Sequence, residues 1–150
     1  MGKKRIIQKS EEELLTERER VDKAIKKQTE TQAVAITGEG RIYIYSSYNN
    51  TIMSLADAKG NVLSWTSAGA IGFKGSKKST PYAASKVAEL LVQKARRVGI
   101  NKVKILVKGI GPGRESALRS LGGQGLEVTS VEDITPIPHN GCRPRRPRRV

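Results

Sequence analysis

Arg41-Ile42-Tyr43-Ile44-Tyr45-Ser46, then Tyr48-Asn49-Asn50, then Thr51-Ile52-Met53-Ser54-Leu55-Ala56 decide how this chain folds. In the first run the isoleucines fall on one side and the tyrosines on the other, the two-residue period of a half-buried strand. The polar residues that follow are too few for a crossover, so the next run must return beside the first. A second turn, Asp57-Ala58-Lys59-Gly60-Asn61, leads into Val62-Leu63-Ser64-Trp65-Thr66-Ser67. Three strands on short linkers predict an antiparallel meander.

Downstream the period changes. Thr80-Pro81 is a helix start, with a hydroxyl to cap it and proline at the first helical position. Ala84, Val87, Ala88, Leu91, Ala95 and Val98 recur at helical spacing, and Gly99 is placed to end the run. Lys102 to Lys108 reads as a strand, residues 114–121 as a short helix that Gly122, Gly123 and Gly125 break, and Leu126 to Val131 as a last strand. The order βββαβαβ predicts an α/β fold, a mixed five-stranded sheet whose later strands are parallel through right-handed crossovers.

Upstream, Ser10 with Glu13 has capping-box spacing, and Glu19–Lys23 and Asp22–Lys26 are i,i+4 pairs. The apolar stripe of Leu14, Leu15, Val21 and Ile25 is thin. A helix over about 11–27 that adds little to the core is expected; disorder until a partner is met is the alternative. The chain thus divides into an N-terminal extension (1–30), an α/β domain (31–138) and a basic C-terminal arm (139–150).

The 150 residues carry a net charge of +14. Residues 1–30 contribute +2, residues 31–138 +7 and residues 139–150 +5. Such a balance calls for a polyanionic partner. No long apolar stretch or aromatic-rich amphipathic helix suggests a membrane, so nucleic acid is the expected polyanion. The arm is the plainest sign. His139-Asn140-Gly141-Cys142-Arg143-Pro144-Arg145-Arg146-Pro147-Arg148-Arg149-Val150 holds five arginines, no acid and almost nothing to bury. It cannot offset its ordering entropy by packing, but guanidinium forks can lie along phosphates.

Other chemistries lack their residues. His139 and Cys142 are single, so no four-ligand zinc site can be built within the chain. One cysteine forms no internal disulfide and suits a reducing compartment, and the basic start Lys3-Lys4-Arg5 has no apolar signal core behind it. The acids after residue 31 form no pair embedded in strands of the kind a two-metal nuclease needs.

Two glycine-rich segments invite a phosphate reading. Gly69–Thr80 combines three glycines, three lysines and three hydroxyls around Phe73. Its amides and lysines suit phosphates, Phe73 could wedge against bases, and the adjoining helix start favours anions. Gly109-Ile110-Gly111-Pro112-Gly113-Arg114 lies between strand and helix, yet its spacing fits neither the dinucleotide nor the P-loop fingerprint. Polymer phosphates held by Arg114 are expected there, with a structural tight turn as the alternative. Tyr43 and Tyr45 share a strand face, but only Arg41 on that strand is basic, so recognition should rest on shape and backbone. An enzyme acting through the Gly109–Gly113 loop and a histone-like DNA binder remain as rival readings.

Four segments in order carry a resemblance: Tyr48-Asn49-Asn50-Thr51, Gly72 to Pro81, Lys108 to Ser116 and Asp133 to Pro144. From about residue 31 onward the chain closely resembles the small-subunit ribosomal protein of universal family eleven, in its bacterial or organellar form. The resemblance implies a ribonuclease H-like fold without catalytic acids and without a cofactor. It implies a cytoplasmic place within the ribosome, on the small-subunit platform, bound to small-subunit rRNA near the exit-side mRNA path. Small-subunit proteins seven, eighteen and twenty-one are the implied neighbours. The rRNA contacts carried over are Asn49, Asn50, Thr51, Gly72, Phe73, Lys74, Gly75, Ser76, Lys77, Lys78, Thr80, Gly111, Gly113 and Arg114, with His139, Asn140, Gly141, Arg143, Arg145, Arg146, Arg148 and Arg149 in the arm. Residues 1–30 are longer and more acidic than the family's usual N-terminus, Ile110 stands where many members have proline, and Pro147 interrupts the arginine run.

Overall fold

The computed structural model describes residues 19, 21, 23, 38–143, 145 and 146. The meander forms as the alternation requires: β1 (Gly38–Ser46), β2 (Thr51–Asp57) and β3 (Val62–Ser67) pair antiparallel in sequence. The second turn is fixed by Asp57, whose Oδ1 accepts from Lys59 N at 2.8 Å and Asn61 N at 2.9 Å. The Asn61 side-chain amide and these backbone amides favour the charged carboxylate and hold it below the usual range.

A 3-10 turn (Gly75–Ser79) leads into α1 (Pro81–Val98), then β4 (Ile100–Lys108), α2 (Arg114–Gly123) and β5 (Glu127–Asp133). Thr80 caps α1 by accepting from Ala83 N at 3.3 Å, and Gly99 closes it in the left-handed region at φ 85°. The strand order is β3-β2-β1-β4-β5, with β4 parallel to both β1 and β5. Connections between parallel strands are right-handed, and both crossovers advance in the same direction across the sheet, so both helices belong on one face. They do pack against each other there. Ile42, Ile44, Met53, Leu55, Val103, Ile105 and Val107 from the sheet meet Val87, Leu91, Ala95, Ala117 and Leu121 from the helices in one core.

Three ion pairs zip the edge strand β5 to its neighbours: Lys102–Glu127, Lys104–Glu132 and Arg114–Asp133. At the other edge, Lys94 of α1 donates to the Trp65 carbonyl of β3 at 3.0 Å. Partial burial there lowers the Lys94 ammonium's affinity for its proton.

Some boundaries differ from the sequence reading. β1 begins at Gly38 rather than Arg41 because Gly38-Glu39-Gly40 is paired by Ile100–Val103 of β4. That extension has no side-chain period to betray it. α2 runs through Gly122 and Gly123, which were expected to break it; the turn to β5 comes at Gly125, φ 77°. Both glycines occupy the exposed last turn, where Leu121 already anchors the helix in the core. β5 starts and ends later than Leu126 to Val131, following the register of β4. The helix expected over 11–27 lies almost wholly outside the described residues. Glu19, Val21 and Lys23 are helical, and Val21 packs against the core.

Candidate nucleic-acid interface

Strands β1, β3, β4 and β5 all point the same way, because β3 is antiparallel to β2 and β2 to β1. Their carboxyl ends therefore share one end of the sheet. The segments that leave those ends are Ser47–Asn50, Gly69–Thr80, Gly109–Gly113 and the chain from Ile134 onward. These are the four motif segments. Both helix starts lie at the same end, adding free amides and positive dipoles.

The Gly69–Thr80 segment is anchored rather than loose. Ile71 is fully buried, Phe73 N donates to Ala68 O at 3.1 Å, and Gly72 at φ 108° lets the chain reverse. Lys74, Gly75, Ser76 and Lys77 then stand exposed, with Lys78 and Thr80 half-buried. Phe73, expected as a wedge, is partly buried against the core, its ring edge-on to Tyr82 at 6.0 Å. Tyr82 is 57% exposed and has the Lys86 ammonium 6.0 Å from its ring centre. Sequence reading passed over this tyrosine because it counts as part of the helix start; its place in the first turn, beside three lysines, was the available signal.

Gly109–Gly113 does something the strand-loop-helix pattern did not reveal. Gly111 N donates to Ser46 O at 3.0 Å, and the loop lies directly on the β1–β2 hairpin. A side chain at Gly111 would come within 2.3 Å of Ser47 O, and one at Gly113 within 2.5 Å of Thr51 Oγ1. The glycines are needed for this close approach of two backbones. Thr51, Gly111 and Gly113 are accordingly buried, where they fix the loops to each other. Across the hairpin, Ser47 Oγ accepts from Asn50 N and donates to Asn50 O, both at 3.1 Å, which leaves Asn49 and Tyr48 exposed at the tip.

Arg114 faces partly inward. Its Nη1 donates to Gly109 O at 2.9 Å and Thr135 Oγ1 at 3.3 Å, and its Nη2 to Asp133 Oδ2 at 2.7 Å. The Arg114 guanidinium first, and Thr135 second, hold the Asp133 carboxyl far below the usual carboxylate range. The network joins the loop, the start of α2 and the departure of the arm. Beyond it His139, Asn140, Gly141, Arg143, Arg145 and Arg146 are exposed, and Asn140 takes the left-handed conformation at φ 55°. Arg148 and Arg149 lie outside the described residues. Among the described residues, what gathers at this end is cationic: Lys74, Lys77, Lys78, Lys108, Arg143, Arg145 and Arg146, while Asp133 is neutralised by Arg114. Among the described residues no cluster of His, Cys, Asp and Glu could hold a metal ion, and no helix is long and apolar enough to cross a membrane.

The family model described as Ribosomal protein S11 matches residues 40–149. Over 112 residues the chain is 59% identical to the small ribosomal subunit protein uS11 of Treponema pallidum (strain Nichols), covering 75% of this chain and 89% of that protein. It is 58% identical over 113 residues to the protein of that name from Borreliella burgdorferi (strain ZS7), covering 75% and 87%. The counterpart in Desulfotalea psychrophila is 55% identical over 112 residues, covering 75% and 89%. The match takes in the whole sheet from Gly40, both helices and nearly all of the arm: the chain belongs to the ribosomal protein S11 family.

Proposed function

We infer that the protein is a structural constituent of the small ribosomal subunit, and that it clamps folded small-subunit rRNA with the carboxyl end of its sheet. As a family member it is a ribosomal protein and not an enzyme, and its place is in the ribosome of the cytoplasm. The observation that carries the RNA reading is the convergence of four motif segments, with their cations, at one end of the sheet. Two helix starts and a cationic loop suit phosphate oxygens, and loops locked to one another suit a rigid surface more than a flexible strand.

Within that reading, Asn49, Lys74, Lys77, Lys78 and the arm arginines touch rRNA, whereas Thr51, Gly111, Gly113 and Arg114 set the geometry from which they do so. Residues 1–30 are an extension to the domain, and residues 139–150 a basic arm that meets rRNA phosphates. The strand order supports a ribonuclease H-like topology. A site on the platform near the exit-side mRNA path, beside small-subunit proteins seven, eighteen and twenty-one, follows from the family resemblance. The test is chemical footprinting of naked small-subunit rRNA with the full chain, beside filter binding to duplex DNA at the same salt. Discrete protections and a clear preference for rRNA are expected. Equal affinity for both polymers and no protections would leave a histone-like binder instead.

A further inference from the structure

The crossovers that stack both helices on one face leave the opposite face of the sheet without a helix among the described residues. Its side chains can be read from the register. On β1 the residues alternating with buried Ile42 and Ile44 are Arg41, Tyr43 and Tyr45. β4 sets Lys104, Leu106 and Lys108 directly beside them, and β2 sets Ser54 beside Tyr43 and Ile52 beside Tyr45. Trp65 of β3 lies opposite Ser54 and so joins the same face. A register shift between Leu55 and Ala56 lets Leu63 still pack toward the core while Trp65 turns away from it.

This face carries aromatic surface that nothing described covers: Trp65 is 59% exposed and Tyr45 46%. Ser54 between Trp65 and Tyr43 is small, so it leaves Trp65 clear, while Tyr43 is half-buried beside it. The charges complete the picture. Glu132 is paired with Lys104 and Glu127 with Lys102, whereas Arg41 and Lys108 have no ion-pair partner among the described residues. Lys108 sits beside Tyr45, and Arg41 lies one pleat from Tyr43. Rings flanked by unneutralised cations form the combination that stacks unpaired bases and steadies their phosphates. A protein partner would also use Tyr, Trp and Arg. Two features favour nucleic acid: the uncompensated cations, and the continuity of the face with the carboxyl-end loops through Tyr45–Ser46 and Lys108–Gly109.

We propose that the face of the sheet that no described helix covers, with Tyr43, Tyr45 and Trp65 between Arg41 and Lys108, is a stacking platform for unpaired nucleotides of single-stranded RNA, separate from the carboxyl-end clamp. The proposal rests on the reading of the chain as an RNA binder but assigns it a second surface and a second class of RNA.

Trp65 is the only tryptophan in the chain, so its fluorescence reports on this face alone. The full-length protein is titrated at low salt with a single-stranded oligouridylate long enough to cross the sheet, and in parallel with inorganic polyphosphate of equal charge. Saturable quenching by the oligouridylate and little by polyphosphate is expected. Tyr43→Ala and Tyr45→Ala should each weaken that binding by roughly 5- to 100-fold, the loss of one stacked base. Equal quenching by both polymers would mean charge without stacking, and would overturn the platform. So would an unquenched Trp65 in protein that retains the oligouridylate on a filter, or quenching by mixed small-subunit proteins alone, which would assign the face to a protein. Folded rRNA bound with Trp65 unmoved by oligouridylate sinks the platform and leaves the clamp. Quenching by oligouridylate without preference for rRNA over duplex DNA sinks the clamp and leaves the platform.

Discussion

Arg114, the first residue of α2, and Asp133, the last of β5, meet at 2.7 Å between Nη2 and Oδ2. The contact ties the helix start to the strand from which the arm departs, and Thr135 fastens the same carboxylate from the other side through its hydroxyl and its amide. It also makes the region sensitive to acid. Asp133 has a folded-state pKa depressed by Arg114, against about 3.9 for an unperturbed aspartate. Its stabilising contribution is therefore fully present above the unfolded value and is lost as pH falls toward the folded one. Asp133→Asn should lower the melting temperature at pH 7, and the gap to the parent should close as pH is taken below about 4. Melting curves from pH 7 to 2.5 check this; a gap that does not change with pH would remove the linkage.

Gly111→Ala should destabilise the fold by about 1–3 kcal/mol, the usual range for forcing extra volume into a packed contact. The new methyl would meet the Ser47 carbonyl, a backbone atom that cannot swing aside. Gly38→Ala, where nothing lies within 4 Å, is the matched control and should be nearly silent in denaturant titrations.

Thr80→Ala removes the acceptor for Ala83 N at the start of α1 and should cost about 1 kcal/mol, while Thr80→Ser keeps most of it. If rRNA affinity falls in step with stability, the cap serves the basic turn before it as well as the helix after it.

Removing residues 139–150 should leave the thermal transition in place and weaken rRNA binding. If all five arginines meet phosphates, the slope of log affinity against log salt should shrink by roughly 3.5–4.5. An unchanged slope would show that the arm stays in solvent.

Replacing Lys74, Lys77 and Lys78 together by glutamine should reduce the same slope by roughly 2–3. The segment is anchored by Ile71 and the Phe73–Tyr82 contact, so stability should hold. Lost stability with an unchanged slope would mean the lysines serve the fold rather than the RNA.

What could be read in the sequence was what local chemistry enforces. Alternation in residues 41–46 and 51–56, Thr80-Pro81 and Gly99 each specify one conformation within a few residues, and the strands, helix start and helix end follow them. The Gly109–Gly113 loop shows where local reading stops. Strand, glycines and helix look alike whether the glycines admit a phosphate or a neighbouring backbone. What separates the two is a hairpin far back in the chain, brought alongside by parallel pairing. The same pairing places Lys108 next to Tyr45 and Lys104 next to Arg41, on a strand face that looked short of basic residues when read along its own strand. The ion pair of Arg114 with Asp133 could not be foreseen, because Asp133 belongs to a strand whose register no turn encodes.

The Lys94 ammonium on the Trp65 carbonyl has a bearing on the protein before it meets any RNA. A ribosomal protein made faster than its rRNA must wait in solution, and an exposed edge strand with Val62 and Trp65 at hand is where a second copy would add its own strand. Lys94 occupies one backbone acceptor along that edge and brings a positive charge that an identical incoming edge would have to face. At the far edge, the charged Glu127, Glu132 and Asp133 make β5 an equally poor template. A sheet suited to a polyanion thus carries, at both borders, charges that disfavour pairing with copies of itself.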